Sequence, residues 1–176
     1  PKKIPAGMPL TIYISDGEIF ALTAPEADAS PFTPPVLIDS NTHQIAYITI
    51  NGDLVISQDG METRLAVNAL PDSRILVGED GRLLFLSDPT ERYAHDVLGD
   101  AIETTGITLV ETNPEPSVLQ VISIHERDVI EGIYPIWADL NNDGEREIIV
   151  TLSNAQDGAR IVAFRENGSL LAEGPA

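Results

Sequence analysis

"IAYITINGDLVIS" occupies Ile45 to Ser57. Two runs of mostly aliphatic residues flank the dipeptide Asn51-Gly52. Asn-Gly is a strong hairpin signal, because a type I′ turn needs positive φ at both central residues and these two types reach it at low cost. The stretch therefore predicts two antiparallel strands. The arrangement returns in "IYISDGEIFAL" (Ile12 to Leu22), "RILVGEDGRLLFLS" (Arg74 to Ser87) and "RIVAFRENGSLLAE" (Arg160 to Glu173). Four such hairpins predict an all-β chain. No segment holds a helical period for three turns. The best helix candidate, Tyr93 to Thr105, is interrupted by Gly99 and followed by Gly106.

A second pattern precedes several hairpins. A short apolar strand leads to an acid, a polar loop and another apolar strand. It begins at Pro35, His95 and Tyr134, with the acids at Asp39, Asp100 and Asp139. Asp72 holds the same place in the weaker copy "NALPDSRILVG" (Asn68 to Gly78). The four acids are spaced 33, 28 and 39 residues apart. Periods of this size mark repeat architectures, and four strands per roughly 40 residues is the spacing of propeller blades. The expected units are 10–31 (incomplete), 34–66, 67–93, 94–132 and 133–174. A β-sandwich also uses hairpins, but it does not predict the recurring acid. The expected fold is a β-propeller, or part of one, with about four blades and an N-terminal hairpin. Either the first hairpin closes a five-bladed ring, or the chain is part of a larger propeller. An open fragment would expose apolar blade faces, so it is expected to form a homodimer or be completed by the missing remainder.

The formal charge is −18, from 28 acids and 10 bases. A field of that sign repels nucleic acid and anionic membranes and attracts cations. No stretch approaches the roughly 20 apolar residues of a membrane-spanning helix. There is no cysteine, so disulfides and thiolate metal sites are excluded. No G-x-S-x-G elbow, P-loop or G-x-G-x-x-G is present. His43, His95 and His125 fall in different units without ligand spacing. Trp137 is expected to pack in a core, and "NGS" at Asn167 to Ser169 is explained by a hairpin turn.

The acids are most crowded in "DLNNDGEREI" (Asp139 to Ile148). Calcium takes six to eight hard oxygens, and a loop that supplies them at alternate positions can curl them towards one centre. Asp139, Asn141 and Asp143 stand at positions one, three and five, and Gly144 permits the bend. Glu145 would offer its backbone carbonyl and Glu147 its side chain. Position twelve is Val150 rather than an acid, so this is not an EF-hand. Apolar strands on both sides put the loop in a β-hairpin. "IWADLNNDGEREIIVTL" (Ile136 to Leu152) resembles the FG-GAP repeats of integrin alpha-subunit propellers and their bacterial relatives, and residues 134–174 look like one such blade. The resemblance implies a propeller with calcium in the first inter-strand loop of a blade. Asp139, Asn141, Asp143, Glu145 and Glu147 carry over as ligands. The other units lose the Asp-Gly and the later acid, so one structural Ca²⁺ is expected.

The expected function is a non-enzymatic, calcium-binding propeller module of a secreted or cell-surface protein, presenting a face to a protein or carbohydrate ligand. The alternative is a propeller hydrolase or lyase whose active site lies in the central channel or in missing blades.

Overall fold

The computed structural model describes residues 10–15, 18–23, 33–88, 104–124 and 127–175. Among the described residues the chain is all-β, with fourteen strands and no helix. β1 (Leu10–Ser15) and β2 (Glu18–Thr23) form a two-stranded antiparallel ribbon in which Tyr13 stands opposite Phe20. Three four-stranded antiparallel sheets follow, each pairing its strands in chain order. The first holds β3 (Val36–Asp39), β4 (Gln44–Ile48), β5 (Asp53–Gln58) and β6 (Met61–Ala66). The second holds β7 (Leu76–Val77), β8 (Leu83–Ser87), β9 (Gly106–Glu111) and β10 (Ser117–Ser123). The third holds β11 (Val129–Ala138), β12 (Glu147–Asn154), β13 (Gly158–Arg165) and β14 (Leu170–Glu173).

The sheets differ in one respect from the units expected. The stretches 67–93 and 94–132 contribute two strands each to a single sheet, β7–β10. β7 has only two residues, and a long stretch of chain separates β8 from β9. Both features blur the period on which the division relied. The helix candidate at Tyr93, together with His95 and Asp100, lies outside the described residues up to position 103. Thr104 pairs with Ile130 as an isolated β-bridge between the second and third sheets. His125 also lies outside the described residues.

The hairpins form where expected, but mostly with a different turn. In Thr49–Asp53 the amide of Gly52 donates to the Thr49 carbonyl and the amide of Thr49 to that of Asp53. Positive φ falls on Gly52 alone (+78°), not on Asn51. The same bonding recurs at Gly78–Arg82 and Arg165–Ser169, with Gly81 and Gly168 at positive φ. These are three-residue loops, a type I turn closed by a left-handed glycine bulge. The extra residue in each loop moves the left-handed demand from both turn residues onto the glycine. A two-residue turn with both residues at positive φ occurs instead at Asp59 (51°) and Gly60 (82°), between Gln58 and Met61.

Successive sheets stack face to face. Ala46, Ile48, Leu54 and Ile56 of the first sheet bury against Leu83, Phe85 and Val110 of the second. The opposite face of the second sheet carries Leu84, Leu86, Ile107, Leu109 and Ile122, which bury against Ile148, Val150, Leu152, Val162 and Phe164 of the third. β8 is thus apolar at successive positions because both of its faces are covered. Gly52 sits against the next segment so closely that a β-carbon there would lie 2.7 Å from the Ala69 carbonyl oxygen.

Phe85 is fully buried in the interface between the first two sheets. Phe85→Ala is expected to lower unfolding stability by about 3–5 kcal/mol, through lost burial and the cavity left behind. Urea denaturation of the two proteins measures the difference.

Candidate metal-binding loop

The loop joining β11 to β12 is shaped by its own side chains. Asp139 ends β11 and accepts backbone N–H bonds from Asp143 (3.2 Å, Oδ1) and Gly144 (2.9 Å, Oδ2). Asn141 Oδ1 accepts from the Asp143 amide at 2.9 Å, and Asp143 Oδ1 from the Glu145 amide at 2.8 Å. Short Asn and Asp side chains bond their neighbours' amides in this way and tolerate left-handed backbone. Asn142 (φ 61°) and Gly144 (φ 89°) supply that backbone. Glu147 opens β12 and reaches back, accepting from the Leu140 amide at 2.8 Å.

The charges are unevenly compensated. The Asn141 amide nitrogen lies 2.8 Å from Asp143 Oδ2 and 3.3 Å from Glu147 Oε1. A weakly positive NH₂ group therefore stands where two carboxylates approach each other. Glu147 is 2% exposed, and among the described residues no Lys or Arg forms an ion pair with it. Burying a carboxylate with only neutral donors is costly. Asp143 is exposed and its pKa is lowered, first by the Glu145 amide, then by the Asn141 side chain, with a smaller pull from the charge of Arg165.

The five expected ligands are close in sequence, yet they are not gathered around one point. Among the described residues no group of three or more His, Cys, Asp or Glu side chains is placed to hold a metal ion. Asp139 points its oxygens at the backbone, and Asn141 presents nitrogen rather than oxygen to Asp143 and Glu147. The donor set still suits a hard cation. It consists of carboxylate, amide and carbonyl oxygens, with no imidazole or thiolate. Rotating the Asn141 amide by half a turn exchanges its oxygen and nitrogen without changing its shape.

Arg146, the only cation in the loop, points the other way. Its guanidinium lies 4.0 Å from the centre of the Trp137 ring and 2.6 Å from Asp80. Arg82 joins Asp80 at 2.6 Å and Glu166 at 2.7 Å. Trp137 Nε1 donates to Glu166 at 2.9 Å. Asp80 and Arg82 belong to the β7–β8 turn, whereas Trp137, Arg146 and Glu166 belong to the third sheet and its loops. The cluster therefore clamps two sheets together at the floor of a cleft of about 420 Å³ lined also by Gly144, Glu145 and Arg165. Gly78 is required here, because a β-carbon would collide with the Arg146 guanidinium. Trp137 also packs against the core between the second and third sheets, as the sequence led us to expect.

The clamp was not legible in the sequence. Asp80 looks like an ordinary Asp-Gly turn residue, and its partners Arg146 and Glu166 are 66 and 86 positions away. Asp80 also takes the place assigned to Asp72 and Asp100. It caps the first turn of its sheet by accepting from the Arg82 amide, as Asp39 does for Asn41. Asn167 accepts from the Ser169 amide, so "NGS" is indeed a turn. His43 lies 3.9 Å from Asp59.

Partial burial raises the pKa of Asp80, but hydrogen bonds from Arg146 and Arg82 outweigh it and bring the value down from 3.8 to about 2. A depressed carboxylate contributes stability above its unfolded pKa and loses it as pH falls through the folded one. Stability should therefore decline between pH 3.8 and about 2 in part through Asp80. Asp80→Asn should lower stability near neutrality and flatten this acid limb, read from urea midpoints across the pH range. No protein-family model, curated protein or solved structure matches the chain.

Proposed function

We propose that the chain is a non-enzymatic, calcium-binding module of the β-propeller kind, in which one Ca²⁺ stiffens the β11–β12 loop. The observation that carries this reading is Glu147, a buried carboxylate that shares the Asn141 amide with Asp143 and has no cationic partner among the described residues. A divalent cation would satisfy both acids at once. Asp139, Asn141, Asp143 and Glu147 would hold it by side chains and Glu145 by its backbone carbonyl. Binding requires the Asn141 amide to turn its oxygen inward.

The propeller reading is supported by three successive four-stranded meanders that stack through alternate faces. Sandwiches pair two sheets, whereas a series of small stacked sheets is how blades pack. The resemblance of residues 134–174 to an FG-GAP blade adds a role, display of a face to a protein or carbohydrate ligand. Extracellular modules hold calcium with dissociation constants of about 10⁻⁴–10⁻³ M, which fits a secreted or cell-surface setting.

Calcium at ten times its dissociation constant should stabilise the fold by about 1.4 kcal/mol, by mass action. For a chain of this size that raises the melting temperature by about 3–6 °C. Chelator should reverse the shift, and Asp143→Ala should abolish it. The sole tryptophan, Trp137, stacks on Arg146 within the same loop, so its fluorescence should follow the titration. A melting temperature unmoved by millimolar calcium would overturn the reading.

A further inference from the structure

The stacked sheets have a direction. In β4, Ala46 and Ile48 face the following sheet; in β8, Leu84 and Leu86 do the same. Ile45 and Tyr47, at the intervening positions of β4, face the other way, because neighbours along a strand alternate. In β12, Ile148, Val150 and Leu152 turn back to the second sheet. Ile149 and Thr151 are thereby left on the forward face, the face that the first two sheets use to cover a neighbour.

That forward face is apolar across all four strands. Ile149 stands opposite Ile136 on one side and Ala163 on the other, and Ala163 stands opposite Ala172. Ile161 lies opposite Thr151. Ile136 is 54% exposed and Ile161 63%. The other end of the stack is closed, since Ile45, Tyr47 and Val55 on the backward face of the first sheet are all buried. A second copy therefore has no open backward face on which to add head to tail. The arrangement left is forward face against forward face, the isologous contact of a two-fold dimer.

We propose that the forward face of β11–β14 is a homodimer interface, with Ile136, Ile149 and Ile161 packed against their counterparts in a second copy. The contact continues the sheet-on-sheet stacking already present twice within the chain and does not depend on the ion. Each copy carries a charge of −18, so their mutual repulsion is screened by salt and the dimer tightens as ionic strength rises.

Sedimentation equilibrium of the 176-residue chain, from low to high micromolar concentration, tests this. The wild type should fit a monomer–dimer equilibrium whose dissociation constant falls with added salt. Ile161→Asp should weaken it by about 100-fold or more, because two-fold symmetry brings each substitution into the contact twice. Ile136→Glu should act likewise, and both variants should keep the wild-type circular dichroism, since each side chain is more than half exposed. Ile50→Asp, at a 54% exposed isoleucine in the β4–β5 turn, should leave the dimer intact. A wild type that stays monomeric throughout overturns the proposal. So does a dimer that survives Ile161→Asp and Ile136→Glu, one lost equally in Ile50→Asp, or one that dissociates as salt is added.

Discussion

The double-sided burial of β8 is the constraint on which the rest of the structure depends. All five residues from Leu83 to Ser87 are buried. Leu83 and Phe85 pack on the first sheet, Leu84 and Leu86 on the third. A strand covered on one face needs only alternate apolar residues; a strand covered on both needs a continuous run. Because each small sheet has two faces to cover, no four-stranded unit here is self-sufficient. Stability is shared between neighbours, as in other stacked repeats. The same reasoning makes the ends of the stack the places where partners matter.

Turn chemistry and charge are built onto this stack. Asp39, Asp80 and Asp139 each follow the first strand of a sheet and accept nearby backbone N–H groups. The recurring acid is first of all a device for reversing the chain, since its carboxylate meets amides that would otherwise need water. Only after β11 is the device enlarged by Asn141, Asp143 and Glu147 into a concentration of negative charge. Arg146, from the same loop, is drawn away to Asp80, Glu166 and the face of Trp137. The loop thus places its cation in the cleft between two sheets and leaves a buried carboxylate behind. Arg160 makes a similar bridge, joining Asp128 and Glu173 at the outer edge of the third sheet. With few bases in so acidic a chain, these arginines are spent on joining segments remote in sequence.

The hairpins were readable because a turn is a local event. Gly52, Gly81 and Gly168 sit where the dipeptides Asn-Gly and Asp-Gly put them, and the apolar runs on either side become paired strands. Loop length was less legible. Whether two or three residues span a hairpin depends on where the strands' last hydrogen bond falls, and that register is set by which face must be buried. The shared sheet β7–β10 escaped for a related reason: its first strand has only two residues, too few for a period, and only pairing with β8 defines it.

The sequence by itself determined the all-β class, the sites of chain reversal and the crowding of oxygen donors between Asp139 and Glu147, because each depends on residues within a few positions of one another. Tertiary structure decided which strands share a sheet, that Asp80, Arg82, Trp137, Arg146 and Glu166 meet, and that Glu147 is buried while Arg146 is not its partner. Those outcomes depend on side chains brought together by stacking faces, and the energies that select them exist only once water has left the space between the sheets.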